Sequence, residues 1–241
     1  MPNSSGVRID FLSIAMPAYN EAAAIGNVTL DHAALLKELP ATIPNWEIVV
    51  VNDGSTDQTE AVLESLRERV PQLRWVSQPN QGIFGAVTRA YQESRGSHIY
   101  NTGSDGQWPA ENLRTMLPAL LAGADLVIGV RLNRRQVYSR ARRIVSYGFN
   151  LIPRVLFGVE VGDAGSLKLG RREPFQYDLI SRSPFFEAER IVRAKRAGLK
   201  IDFVPIVFQT RNEGKATGAS WRNVRNSLRD AARCVAAYGF R

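Results

Sequence analysis

Cysteine is almost missing from this chain: Cys234 is the one thiol in 241 residues. A single thiol excludes an internal disulfide framework and a multi-thiolate zinc site. Histidine is nearly as scarce, with only His32 and His98, so a histidine-built metal centre is not expected. No uncharged apolar run approaches the roughly 20 residues that a membrane-spanning helix needs. The first ten residues carry Arg8 and polar side chains and lack the basic-then-apolar order of a secretory leader. A reducing cytosol is the default compartment, and any meeting with a membrane is expected from the side. Glycine-rich phosphate loops are missing too: neither Gly-x-Gly-x-x-Gly nor the Gly-Lys-Ser/Thr loop occurs. A dinucleotide oxidoreductase and a P-loop NTPase are therefore disfavoured.

What is present is an ordinary globular balance, 44% hydrophobic and 22% charged. A chain of this length hides roughly 70–75% of its unfolded surface on folding. Charge is unevenly spread. Residues 1–128 carry 8 Lys/Arg against 14 Asp/Glu, a net −6, whereas residues 129–241 carry 23 against 9, a net +14. A basic half suits nucleic acid, an anionic membrane surface or a phosphorylated substrate, and equally a merely soluble basic surface.

The first half alternates strand and helix signals. Residues 11–16 read as an apolar strand stopped by Pro17, and 47–51 as a β-branched strand buried on both faces. Further strands are expected at 73–77, 98–100 and 125–129. Helices are expected at 21–39, interrupted at Gly26, and at 57–70, 82–94 and 111–121. This alternation implies right-handed βαβ units and a mostly parallel sheet. One α/β domain over 1–215 follows, with 11–130 as its regular half, 131–215 as its less regular, basic half, and 216–241 as a basic C-terminal helix.

Ligands of such sheets sit at the carboxyl ends of the strands. Four polar loops fall there: Pro17-Ala-Tyr-Asn-Glu21, Asn52-Asp-Gly-Ser-Thr-Asp57, Asn80-Gln-Gly82 and Ser104-Asp-Gly-Gln107. Asp53, between an apolar strand and Gly54, is placed to accept hydrogen bonds from a base or ribose. Asp57, with Glu60 three residues on, reads better as a cap of the next helix. A nucleotide diphosphate without a glycine cradle needs a divalent cation on carboxylate oxygen, and Asp105 is the obvious ligand.

Five segments, "SIAMPAYNEAAAI", "WEIVVVNDGSTDQTEAVLE", "NQGIFGAVTRAY", "SDGQWPAENL" and "ADLVIGVR", stand in register. Together they resemble the inverting family-2 glycosyltransferases of the GT-A fold, an α/β architecture with a mostly parallel sheet flanked by helices. "DGQWP" and "FGVEVGDAGSLKLGRR" are most similar to the polyprenyl-phosphate sugar transferases of the dolichyl-phosphate mannosyltransferase type. The resemblance implies that Pro17, Ala18, Tyr19 and Glu21 line the nucleotide, that Asp53 meets its base, and that Asn80, Gly82 and Ser104 complete that site. It implies Mg²⁺ or Mn²⁺ on the diphosphate held by Asp105 and Gln107, and Arg131 near the donor or acceptor phosphates. Lys168, Arg211 and Lys215 would take the acceptor phosphate, and Glu189 would face the sugar. Asp163, in "GDAGS", is either a base or acceptor-positioning carboxylate or a turn residue.

The chain departs from the family pattern. Gly103 stands where the first Asp of Asp-x-Asp belongs, and Arg211-Asn-Glu-Gly214-Lys215-Ala216 replaces Arg-x-x-Gly-x-Ser. In the tail, Trp221, Val224, Leu228, Ala231, Ala232 and Val235 share one helical face, and Arg222, Arg225, Arg229 and Arg233 a second. That pattern fits an interfacial helix on anionic lipid or a core-packing helix with a solvated arginine face. Arg134, Arg135, Arg140, Arg142 and Arg143 form a second basic segment. The expected function is metal-dependent transfer of a sugar from a nucleotide diphosphate, with polyprenyl phosphate as favoured acceptor, at the cytoplasmic side of a membrane. The alternatives are transfer to a soluble hydroxyl (a nucleoside or natural product), a non-catalytic nucleotide-sugar binder, and a nucleic-acid-binding module. The last lacks any nucleic-acid motif, so no nucleic-acid partner is expected.

Overall fold

The computed structural model describes residues 8–133, 140–209 and 221–240, with the side chains of 140–145 left aside. Among these residues seven strands form one sheet: β1 (Leu12–Ala18), β2 (Trp46–Asn52), β3 (Leu73–Ser77), β4 (His98–Asn101), β5 (Leu126–Arg131), β6 (Lys168–Arg171) and β7 (Ile201–Ile206). Their order is β3-β2-β1-β4-β6-β5-β7. All neighbours pair in parallel except β6, which runs antiparallel to both β4 and β5. The α/β, mostly parallel architecture expected from the alternation is present. β6 and β7 lie in the half that gave no regular signal. Four residues long and led by a lysine, β6 is too short and too polar to read as a strand. β7 contains Pro205, which an edge strand tolerates because one side of its ladder is unpaired.

Seven α-helices cover the sheet among the described residues: α1 (Ile25–Lys37), α2 (Thr59–Ser65), α3 (Gly82–Glu93), α4 (Glu111–Leu121), α5 (Arg140–Phe157), α6 (Phe186–Arg196) and α7 (Trp221–Tyr238). Alternation along β1 sends Ile14 and Met16 to one face and Ala15 to the other, and all three are fully buried. The first face packs on α1, α2 and α4 through Ile25, Leu35, Leu63, Leu113 and Met116. The second packs on α3, α5 and α6 through Val87, Tyr91, Phe157, Phe186 and Ile191.

Two expectations are corrected. Pro17 does not stop the first strand, which continues to Ala18 opposite Asn52. Pairing of β1 with β4 ends at Ala15 and Asn101, so the N–H that proline lacks falls beyond the end of β4. Gly26 does not interrupt the first helix: it lies inside α1, and a Cβ there would stand 3.3 Å from Val62, so glycine lets α1 approach α2.

Candidate active site

The loops at the carboxyl ends of the parallel strands are stitched to one another by side chains. After β1, Asn20 adopts left-handed backbone (φ 56°), a conformation uncommon outside glycine. It is held there by both neighbours: its N–H donates to Ser55 Oγ at 2.9 Å and its Oδ1 accepts from Thr56 N–H at 2.8 Å. Next to it, Glu21 N–H donates to Thr59 Oγ1 at 2.9 Å and Ala22 N–H to Asp57 Oδ2 at 3.1 Å. Asp57 also accepts from Thr59 N–H, the first residue of α2, at 2.9 Å. Burial would raise this carboxyl's pKa, but the bonds from Thr59 and Ala22 outweigh it and hold it low. Asp57 therefore ties the loop after β1 to the first residue of α2 from a position one residue ahead of the N-cap Gln58. Pro17 and Ala18 lie inside β1, and Tyr19 is exposed at its end.

Asp53 is buried below the second loop. Its Oδ1 accepts from Gln78 Nε2 at 2.8 Å and from Gln81 N–H at 2.9 Å, while its own N–H donates to Ala18 O at 2.8 Å. Gly54 follows at φ +73°, and a Cβ there would stand 2.7 Å from Asn80 N. Glycine thus sets how closely the loops after β2 and β3 approach. Asn80 and Gly82 are exposed at that junction, where Gly82 N–H donates to Asn80 Oδ1 at 3.1 Å.

The loop after β4 is fastened on both sides. Ser104 Oγ donates to Pro17 O at 2.8 Å, closing the gap beyond the end of β4. Asp105 Oδ1 accepts from Gln107 N–H at 3.1 Å, and Gln107 Nε2 donates to Gln209 O at 3.2 Å. Trp108 stacks edge-on against Phe208, with ring centroids 4.5 Å apart. A Cβ on Gly103 would lie 3.1 Å from Trp108 and 3.3 Å from Asp105 Oδ1. Position 103 therefore looks onto Asp105.

At the end of β5, the Arg131 guanidinium forms a two-point pair with Asp163, with Nε donating to Oδ2 at 2.5 Å and a second, shorter contact to Oδ1. The same guanidinium lies 5.4 Å from the Trp108 ring and 5.3 Å from Phe208. The pair is nearly closed to solvent, with 8% and 1% side-chain exposure. The loop behind Asp163 is held by Lys168, whose Nζ donates to Ala164 O at 2.7 Å and Ser166 O at 3.1 Å. Lys168 is wholly buried and ion-paired with Glu187 at 2.7 Å. Burial lowers its pKa from the ordinary lysine range, with Glu187 acting against the shift.

Asp53, Asp105, Arg131 and Asp163 thus belong to one loop cluster, whereas Glu189 does not. Its carboxylate accepts from Ile180 N–H and Ser181 N–H at 2.8 Å each and from Tyr238 Oη at 2.6 Å. Against burial, those bonds lower its pKa. Both oxygens are taken by the 180–181 backbone and by Tyr238 of α7, a placement that does not present the group to a sugar. Lys168, likewise, offers no exposed ammonium to an acceptor phosphate. Arg211 and Lys215 lie outside the described residues. Reading the sequence missed Asn20, Trp108 and Phe208. Trp108 stood in the "DGQWP" segment without a role, and Phe208 gave no signal because its partner lies 100 positions away.

Among the described residues no group of three or more His, Cys, Asp or Glu is placed to hold a metal ion, so there is no all-protein cage. The donor set does fit Mg²⁺ or Mn²⁺ arriving with a diphosphate: such ions commonly take one or two carboxylates, with phosphate oxygens and water completing the shell. Asp105 would supply the carboxylate and Gln107 an amide oxygen, its nitrogen being turned to Gln209.

Residues 13–178 match the family model for glycosyl transferase family 2. Glycosyltransferase AglD of Haloferax volcanii is 27% identical over 221 residues, which span 88% of this chain and 35% of AglD. Undecaprenyl-phosphate 4-deoxy-4-formamido-L-arabinose transferase of Pseudomonas paraeruginosa is 30% identical over 161 residues, 66% of this chain and 46% of that enzyme. The chain thus spans less than half the length of these curated relatives. Among solved structures, glucosyl-3-phosphoglycerate synthase of Mycobacterium tuberculosis with phosphoglyceric acid superposes with a TM-score of 0.71 at 19% identity, over 97% of this chain and 81% of that one. Mannosyl-3-phosphoglycerate synthase of Rubrobacter xylanophilus gives 0.72 at 19% identity, over 96% and 75%. The Mycobacterium enzyme has also been solved with Mn²⁺, UDP and glucosyl-3-phosphoglycerate (TM-score 0.68, 20% identity, 97% and 81% coverage). With a GT-A-type sheet, a polar loop cluster at its carboxyl edge and a family match across most of its length, this chain belongs to glycosyl transferase family 2.

Proposed function

We propose that this glycosyltransferase moves a sugar, with inversion, from a nucleotide diphosphate to a prenyl phosphate. One observation carries the choice of acceptor: Asp163, the carboxylate best suited by sequence to serve as base, is closed in a two-point pair with Arg131. A hydroxyl acceptor needs a base to take its proton. A phosphate is already an anion and needs only cationic placement. The name of the Pseudomonas relative, an undecaprenyl-phosphate transferase, supports the same choice.

In this reading Pro17, Ala18, Tyr19 and Glu21 line the nucleotide beside Asn80, Gly82 and Ser104. Asp53 meets the base through Oδ2, since Oδ1 is already engaged by Gln78 and Gln81. Asp105 and Gln107 hold Mg²⁺ or Mn²⁺, which when bound neutralises the diphosphate leaving group. Arg131, kept in plane by Asp163, Trp108 and Phe208, steadies phosphate charge at the end of β5. An acceptor phosphate oxygen bonds to the anomeric carbon from the face opposite the diphosphate, and the nucleoside diphosphate leaves with the electron pair of the broken C–O bond. Arg211 and Lys215 take the acceptor phosphate; Lys168 supports the loop rather than the ligand. Such an enzyme works at the cytoplasmic face of a membrane.

The names of the solved neighbours, glucosyl- and mannosyl-3-phosphoglycerate synthase, favour a second reading, transfer to a small soluble acceptor. Radiolabelled nucleotide sugars incubated with Mn²⁺ and either a prenyl phosphate or phosphoglycerate separate the two. Label extracted into chloroform supports the lipid acceptor. Label confined to an anionic water-soluble product supports the second reading and overturns the first.

A further inference from the structure

The sequence offers the apolar face of α7 either to lipid or to the core, and the tertiary structure turns inward a neighbouring face that shares only Ala231 with it. Ser227, Asp230, Ala231 and Cys234 turn inward. Asp230 accepts from Arg182 N–H at 3.0 Å and Ser183 N–H at 2.9 Å, and Cys234 Sγ lies 3.4 Å from Ser181 Oγ. This anchoring turns the large apolar residues outward: Trp221 is 85% exposed and Leu228 53%. On the facing helix α5, Tyr147, Leu151 and Val155 recur every four residues and are exposed as well. Between the helices runs a groove of about 480 Å³, lined by Gly148, Leu151, Ile152, Val155, Leu228 and Val235 among others, every one of them apolar.

We infer that the α5–α7 face docks on an anionic bilayer, with the groove against its hydrocarbon boundary. Charge complementarity selects that occupant. Arg222, Arg225 and Arg229 are exposed along α7, and the second half of the chain carries the +14 surplus. The one acidic residue of α7, Asp230, is turned inward and bonded. An apolar stripe bordered by arginines and ended by aromatics, here Trp221 and Phe240, suits the layer between headgroups and acyl chains. The face also adjoins the loop cluster: Asn150, on α5 between Gly148 and Leu151, accepts from Ala164 N–H at 3.3 Å, next to Asp163. Docking therefore brings the Arg131–Asp163 pair to the membrane surface, where a prenyl phosphate presents its headgroup. That last step rests on the prenyl-phosphate reading; the docking does not.

The test is co-sedimentation of the full chain with vesicles of phosphatidylcholine alone or with added phosphatidylglycerol, beside Leu228→Asp/Val155→Asp and Arg222→Gln/Arg225→Gln/Arg229→Gln variants. All substituted positions are exposed, and unchanged melting temperatures establish that the fold persists. The wild type should bind the anionic vesicles. The arginine variant should lose on the order of a hundredfold in partitioning, since each arginine near such a surface is worth about fivefold. The aspartate variant should lose binding at low and high salt alike. Equal sedimentation of all three proteins, none by any, or a dimer that Leu228→Asp/Val155→Asp makes monomeric would overturn the inference. Turnover of a water-soluble short-chain prenyl phosphate, measured in parallel, reports on the acceptor separately: vesicle binding without that turnover sinks the acceptor reading and leaves the docking standing.

Discussion

Lys168 and Glu187 meet at 2.7 Å across the join between β6 and α6, with no part of the lysine side chain exposed. A buried charge of this kind persists only with a partner, because taking an ammonium out of water costs several kcal/mol. The lysine spends its other donors on the carbonyls of Ala164 and Ser166, so the pair fixes the loop that begins at Asp163. One buried ion pair thus stands behind the guanidinium clamp of the loop cluster.

Lys168→Met should therefore destabilise the fold by about 3–5 kcal/mol, the usual cost of stranding one member of a buried pair. Lys168→Met/Glu187→Leu should recover most of the melting temperature, because neither charge is left alone. The double variant still lacks the bonds to the loop, so its kcat should stay low while donor binding is retained. Thermal denaturation and steady-state kinetics check both halves; full recovery of kcat would remove the positioning role.

Asp105→Asn should abolish turnover and the Mn²⁺ dependence of UDP binding without lowering the melting temperature. Gly103→Asp should tighten Mn²⁺ binding, since a Cβ there stands 3.3 Å from Asp105 Oδ1. It should also lower stability slightly, because Trp108 at 3.1 Å must give way by a few tenths of an ångström. Metal titration by calorimetry in the presence of UDP reads the first effect. Unaltered Mn²⁺ affinity in both variants would show that this loop does not hold the ion.

Asp53 separates structure from ligand by the choice of replacement. Asp53→Ala leaves the Gln78 and Gln81 donors without their acceptor and should cost about 1–3 kcal/mol of stability. Asp53→Asn keeps an oxygen at Oδ1 and should hold the melting temperature, yet weaken nucleotide binding by changing Oδ2 to a donor. Nucleotide affinity equal to wild type in the asparagine variant would confine Asp53 to joining the loops.

His32 is buried in α1, where burial lowers its pKa and the hydrogen bond to Val28 O only partly opposes the shift. His98 is lowered too, by burial and then by Arg171. The unfolded chain takes up protons near pH 6.5, before the folded chain does, so stability present above that pH falls as pH drops toward the lowered folded values. Melting temperature measured from pH 8 to 5 should be level at first and then decline. His32→Leu should decline less steeply; an unchanged slope would assign the effect elsewhere.

Local chemistry settled much of this protein. β-Branched runs such as Ile48–Val51 and the two-sided burial of Ile14, Ala15 and Met16 need a sheet covered on both faces, whatever the partners. Polar turns placed after each of the first four strands have nowhere to go in such a sheet but its carboxyl edge, so the loop cluster was legible as well. Asp57 could be tied to the start of α2 because its partner there lies two residues on. Only the tertiary structure joined Arg131 to Asp163 across 32 positions, sank Lys168 onto Glu187, and turned Glu189 toward Tyr238. It also decided which side of α7 faces inward, through Asp230 and the 182–183 backbone rather than through the helix's own apolar stripe. Periodicity reports the geometry of one element, whereas a carboxylate's role depends on which donors the packing of distant elements brings within about 3 Å of it.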